Sequence, residues 1–143
     1  MALNVFSIGR DTQVVVIVSG NRIDLEHVTG FEARQLTSSV RISRLDGNQM
    51  GAELPKGWEG QFEVERGNTA VDDLIATAEQ TFYNGEQPAL GTLYQYVTEP
   101  DGSTTTFQFD SVVFKLPNAG QWKGDASVKQ RLEFFSARRR RVS

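Results

Sequence analysis

Phe31-Glu32-Ala33-Arg34-Gln35-Leu36-Thr37-Ser38-Ser39-Val40-Arg41-Ile42-Ser43-Arg44-Leu45 decides the fold, because it is extended in character but does not sort its chemistry by side. At strand period, Phe31, Ala33 and Gln35 fall on one side and Glu32, Arg34 and Leu36 on the other, so neither side is a clean core face. A long strand of this kind lines a solvent channel or an interface, or runs along an exposed edge with a bulge near Thr37-Ser38-Ser39.

Downstream, Asp46-Gly47-Asn48 is a strong turn signal, and no alternation follows until Gly57. The spacing predicts a loop over 46–57 built on Asp46, Gly47, Asn48, Met50, Leu54 and Pro55, of a length that is usually functional or disordered. Trp58–Arg66 then alternates as a half-buried strand. Upstream, the aliphatic run Gln13–Ser19, the turn Ser19-Gly20-Asn21 and Arg22–Val28 read as a hairpin.

One helix is expected after Gly67. Asn68 or Thr69 caps it, Asp72 stands in capping-box position, and Asp73 beside it suits the positive end of the helix dipole. Val71, Leu74, Ile75, Ala78 and Phe82 form one apolar stripe at helical spacing, and Asn84-Gly85 ends it. Thr92–Thr98 and Thr104–Leu116 flank the turn Glu99-Pro100-Asp101-Gly102, and Gln121–Ala137 reads as a final strand. The fold class is therefore mainly β, about seven strands with one α-helix, in a single domain over 1–143. It has an N-terminal arm at 1–10 and a basic tail at 138–143.

Composition narrows the chemistry. Apolar residues are 38% and charged residues 23% of 143, as in a globular domain, and the longest apolar run, Val14–Val18, is too short to span a membrane. The N-terminus lacks the basic and apolar regions of a secretory signal, which predicts a chain cytoplasmic at synthesis. There is no cysteine, which excludes disulfides and thiolate sites, and the single histidine, His27, has no imidazole partner for a metal. Asp72-Asp73 diverge by about 100° on a helix and serve its dipole rather than a carboxylate pair. No phosphate-binding, dinucleotide or nucleophile-elbow motif occurs. No enzyme, cofactor or metal is expected.

Charge is uneven. Residues 129–143 hold six basic residues, Lys129, Arg131 and Arg138–Arg141, against Glu133, a net +5; the total of −3 leaves −8 for residues 1–128. An acidic body argues against sequence-independent DNA binding. The arginine run is a solvated charge cluster, a nucleic-acid tail, or a segment that docks on the acidic surface of a neighbouring copy.

A local pattern recurs: Trp58-Glu59-Gly60…Val64 and Trp122-Lys123-Gly124…Val128 share Trp-x-Gly-x-x-x-Val. Trp58 and Trp122 are expected to open two strands aligned in one sheet, each glycine leaving a notch for a neighbouring ring or backbone.

Taken in order, Val28-Thr29-Gly30-Phe31-Glu32, Leu45-Asp46-Gly47, Pro55-Lys56-Gly57-Trp58-Glu59-Gly60, the Asp72-Asp73 helix ending Phe82-Tyr83-Asn84-Gly85, Val113-Phe114-Lys115-Leu116, Gly120-Gln121-Trp122-Lys123-Gly124-Asp125 and Leu132-Glu133-Phe134-Phe135-Ser136-Ala137-Arg138-Arg139 resemble phage tail tube proteins over nearly the whole chain. The resemblance is to the tube of a long-tailed, contractile phage; the tube proteins of type VI secretion and of phage-like contractile particles share that fold. It implies a β-sandwich or small barrel of about seven strands with one flanking α-helix, in a structural virion protein whose sheets join between copies in hexameric rings, stacked as a conduit for DNA ejection. The partners it implies are further copies of the chain, a tail sheath protein, baseplate and tail terminator proteins, a tape measure protein in the lumen, and passing DNA in transient, non-specific contact, with no membrane. On this basis the 46–57 loop is expected to set ring stacking, Arg138, Arg139, Arg140 and Arg141 to dock on a neighbouring subunit, and Glu32, Glu63 and Glu65 to face the lumen, where net acid repels phosphates. Two rivals are a monomeric β-barrel with a ligand or catalytic site and a nucleic-acid-binding domain using the arginine run.

Overall fold

The computed structural model describes residues 12–18, 21–23, 28–67, 69–87 and 90–142. The expected arm at 1–10, His27 and the alternative cap Asn68 lie outside them. In chain order the elements are β1 (Thr12–Val18), β2 (Asn21–Ile23), β3 (Val28–Ser43), β4 (Gln49–Glu65), α1 (Ala70–Tyr83), β5 (Gly91–Thr98), β6 (Thr104–Asn118), β7 (Lys129–Ser136) and β8 (Arg138–Arg141). Every pairing is antiparallel, in the order β2-β1-β5-β6-β7-β4-β3, with β8 added on β6.

A bend in β6 turns this row into a sandwich. Its first half pairs with β5 and β8, its second half with β7, and Ser111 between them takes φ 53°. A positive φ at a non-glycine residue needs support from its surroundings, and the facing strand supplies it. The fully buried Ser136 hydroxyl sits 2.8 Å from the Asp110 carbonyl and accepts the Arg138 N–H at 3.3 Å, while the Ala137 N–H donates to the Asp110 carbonyl at 3.1 Å. Both chains therefore turn the same corner, β6 at Asp110-Ser111 and β7 into β8 at Ser136-Ala137. Strands β2-β1-β5-β6-β8 make one layer and β3-β4-β7-β6 the other.

Between the layers lie Val16, Leu93 and Phe109 from the first and Phe62, Leu132 and Phe134 from the second, all buried. Phe134 meets Phe109 edge-on at 5.5 Å and stacks with Phe31 at 5.9 Å. Each such side chain contributes about 1.5–3 kcal/mol by burial. Helix α1 adds Val71 and Leu74 to this core.

Several expectations are corrected. Residues 49–57 are strand, not loop: β4 begins at Gln49 and pairs with β3 out to Ser43, leaving a short turn at 44–48 closed by Gly47 N–H to the Arg44 carbonyl at 3.0 Å. The glycines and Pro55 that suggested a loop sit in a two-stranded ribbon, with a bulge at Lys56 where Leu36 faces Gly57 and Thr37 faces Pro55. The last strand begins at Lys129, not Gln121, and Trp122 lies in the preceding turns. Trp58 is inside β4, so neither tryptophan opens a strand, and the two repeats are not aligned in a sheet. The notch holds at Gly60, where an added Cβ would collide with the Phe134 ring and the Glu32 carbonyl; at Gly124 nothing is near. In α1 the Thr69 hydroxyl bonds to Asp73 rather than forming a capping box with Asp72. Val71 and Leu74 are buried and Ile75 packs on the core, but Phe82 is 64% exposed because the helix outruns the layer it covers. The arginine run is no free tail; it is the eighth strand.

Candidate assembly interface

Alternation carries the chemistry of the β3-β4-β7-β6 layer onto two faces. Inward go Phe31, Trp58, Phe62, Val64, Leu132 and Phe134. Outward, cross-strand register builds rows of charge: Glu32 beside Gln61, Gln61 beside Glu133 and Glu133 beside Lys115; Arg34 beside Glu59; Glu63 beside Arg131; Glu65 beside Lys129. Arg34 and Glu59 form an ion pair. The expected acids Glu63 and Glu65 thus share one face, as alternation required, and cross-strand register puts Glu32 on the same face. Basic residues are interleaved with them, because cross-strand neighbours of opposite charge stabilise the sheet. Gln61 sits in a shallow depression of about 300 Å³ flanked by Glu32, Arg34, Glu59 and Glu133.

This layer has two open edges among the described residues. β3 is paired on its β4 side alone, and the Val113–Asn118 half of β6 on its β7 side alone. Beyond Leu36 the β3-β4 ribbon leaves the domain. Ser38 faces Leu54, Val40 faces Ala52 and Ile42 faces Met50 on the side continuous with Glu32 and Arg34. Ser39 faces Glu53 and Ser43 faces Gln49 on the side continuous with the core. Ser39 Oγ lies 2.7 Å from Glu53 Oε1, which holds that carboxyl below its usual range, and Ser43 Oγ donates to Gln49 Oε1 at 2.8 Å. The turn residues Asp46, Gly47 and Asn48 are tied by Asn48 N–H to Asp46 Oδ1 at 3.0 Å, and Met50, Leu54 and Pro55 lie on exposed strand behind them.

Arg138–Arg141 pairs with Asp110–Phe107. Arg140 donates from Nε to Asp110 Oδ2 at 2.7 Å, and this contact above all depresses the Asp110 carboxyl below its usual range. Arg139 turns inward: its guanidinium lies 3.6 Å from the Phe107 ring centre and 4.7 Å from that of Trp58, with Nε buried and without a hydrogen-bond partner. Burial lowers its pKa. Stacking on rings is the compensation a guanidinium can find there. Arg139 and Arg140 are thus engaged within their own chain, a use that charge counting does not reveal.

Among the described residues, no group of three His, Asp or Glu side chains could hold a metal. A cleft of about 600 Å³ between β1, β2 and the start of β3 is lined by Thr12, Gln13, Val14, Arg22, Thr29, Phe31 and neighbours, with Arg22 the one charged side chain among the described residues that line it. Among the described residues no helix is long and apolar enough to cross a membrane.

No protein-family model matches the chain, and no curated protein does. Solved structures do. A chain of the anti-feeding prophage cap, described as the tube-terminating cap, superposes with TM-score 0.67 at 9% identity, covering 100% of this chain and 95% of that one. A chain of the sheath-tube complex of the extracellular contractile injection system PVC, in its extended state, gives 0.62 at 11% identity over 92% and 88%. One from the virion of a native gene transfer agent gives 0.52 at 14% over 95% and 98%. The fold is that of tube and tube-cap chains of phage-like particles, as the sequence resemblance implied.

Proposed function

We propose that the chain is a structural subunit of a phage-like tail tube, closing into rings through the two open edges of the β3-β4-β7-β6 layer. The observation that carries this is the pairing order. The layer holds four strands in strictly alternating direction, so under cyclic symmetry the β6 half of one copy meets β3 of the next in antiparallel sense. An odd number would force a parallel junction. Such a head-to-tail contact is heterologous and closes a barrel when the rotation is right. Six copies give roughly 24 strands, about 45–50 Å across at the backbone for barrel-like tilt, wide enough for a polymer to pass.

The charged face of Glu32, Glu63 and Glu65 then lines the bore. It carries Glu32, Glu59, Glu63, Glu65 and Glu133 against Arg34, Lys115, Lys129 and Arg131, a lining near balance with a small acidic excess. The stacked tube would sit in a virion or injection-particle tail, with sheath, baseplate and terminator proteins as partners and a tape measure protein or DNA as contents. The shared fold with the contractile injection chains supports this setting.

The test is negative-stain microscopy and mass measurement of the purified chain at raised concentration. Rings or tubes are expected; a species that stays near 15.9 kDa at every salt and concentration overturns the reading. Within tubes, Glu63→Lys with Glu65→Lys leaves three acids against six bases on the lining. DNA should then be retained in a salt-sensitive way, since each phosphate neutralised adds counterion-release affinity. Passage indistinguishable from the parent at low salt places these residues elsewhere.

A further inference from the structure

The ribbon tip carries an apolar stripe that no other described residue covers. Val40, Ile42, Met50, Ala52 and Leu54 share one side, and Ile42 is 56% exposed. At the far end of the same layer Trp122 is 69% exposed, fixed beneath by Arg66, whose guanidinium lies 5.2 Å from the ring centre and binds Asp72 at 3.0 Å. That end is pinned further by Gln130, which donates to Asp72 Oδ1 at 2.8 Å and to the Ala119 carbonyl at 3.0 Å.

We infer that the stripe of one copy receives Trp122 of the next copy along the tube axis. This rests on the tube reading and names the surface that joins one ring to the next. From the Ser43–Gln49 pair to Glu65–Lys129 the layer runs about 16 residues, or about 50 Å at strand rise. A strand pair cannot fold back over that length, so the two apolar surfaces meet only between molecules. Translation along the strands brings them together, a heterologous contact that does not close and therefore propagates as a filament. A large aromatic held flat by a cation on its underside is the kind of anchor that dominates interfaces, and a pocket of Ile, Leu and Met adapts to it. The inversion of the tip supports this occupant. The side that faces water at Glu32 and Arg34 turns apolar at Val40 and Ile42, while the side that faces the core at Phe31 turns polar at Ser39 and Ser43. The ribbon thus presents to a neighbour the side that its base presents to the bore.

The chain has no cysteine, so a crosslink reads cleanly. Ile42→Cys with Lys123→Cys, keeping Trp122, is oxidised or treated with a short bis-maleimide as assembled tubes. Covalent ladders longer than dimers are expected from the double variant and dimers at most from either single one. In parallel, Trp122→Ala and Ile42→Ser should each shorten tubes at least tenfold while leaving rings intact, and the pair together should do little more than either alone. Tubes that form normally with no ladder, or substitutions whose effects simply multiply, overturn the inference. An unmodified chain that makes neither rings nor tubes overturns the tube reading beneath it, a distinct result seen before any variant is made.

Discussion

The base and the tip of the β3-β4 ribbon are the same two strands in one antiparallel ladder, yet they solve opposite problems. At the base, Phe31 and Phe62 face inward and Glu32 and Gln61 outward; at the tip, Ile42 and Met50 take the outward side and Ser43 and Gln49 the inward one. On β3 no residue is inserted between the two regimes, so the change is written in chemistry alone. On β4 it needs the bulge at Lys56, which moves the outward set from Glu59 and Gln61 to Met50, Ala52 and Leu54. Gly57, at φ 120°, permits it, because the Phe135 ring and the Ser136 carbonyl occupy the space a side chain would take. A sheet buries whichever side meets protein, and the reversal marks where the protein it meets ceases to be its own.

The comparison fails if the base is not the folding core, and Phe62→Ala is the harshest probe. The side chain is 1% exposed and packs against Phe134, so its removal should cost about 3–5 kcal/mol, read as a lowered denaturation midpoint. A loss below about 1 kcal/mol would mean that the layers hold together elsewhere. Gly60→Ala should follow at about 1–3 kcal/mol from overpacking, since the new methyl meets the Phe134 ring and the Glu32 carbonyl. A neutral result would show that the strands can part there without penalty.

Much of this was legible in the sequence, for physical reasons. The turn signals at Asp46-Gly47-Asn48 and Glu99-Pro100-Asp101-Gly102, helix α1 and the mixed parity of Phe31–Leu45 are local, and local chemistry fixes them. What escaped was non-local. Gln49–Gly57 reads as loop because Gly51, Pro55 and Gly57 lack strand propensity, but pairing with β3 supplies the ladder that propensity does not. The exposed ribbon has no buried face to impose alternation, so period could not find it. Arg138–Arg141 reads as a tail because charge suggests solvent; its strand is made by the open edge of β6 and by the rings of Phe107 and Trp58, which charge counting cannot see.

That eighth strand gives a smaller test, still on the side of the base. Asp110 has its pKa lowered chiefly by the Arg140 hydrogen bond, so the pair's contribution is present above the carboxyl's unfolded value. It is lost as pH falls through the depressed folded one, below the ordinary aspartate range. Both groups are partly exposed, so water screens the pair and the effect is small. Asp110→Asn should lower the melting temperature slightly at neutral pH and not at all in strong acid. A difference that persists in acid would assign the effect to packing at the corner instead.

The smallest expected effect is the sharpest for the comparison. Val40→Ser with Ile42→Ser replaces two apolar side chains on the tip, where both are already largely in water, so the free subunit should change stability by no more than about 0.5 kcal/mol. The same residue types at the base, buried between layers, would cost several times as much. Denaturation of the free subunit measures the first quantity, and tube length at matched concentration measures what the stripe does once a neighbour is present. Unchanged subunit stability with intact rings and short tubes is the expected pair of results. If the double variant instead unfolds about 2 kcal/mol more easily, the stripe is covered within one chain, the tip and base obey one rule after all, and the reversal of polarity loses its meaning as the border between a subunit and its neighbour.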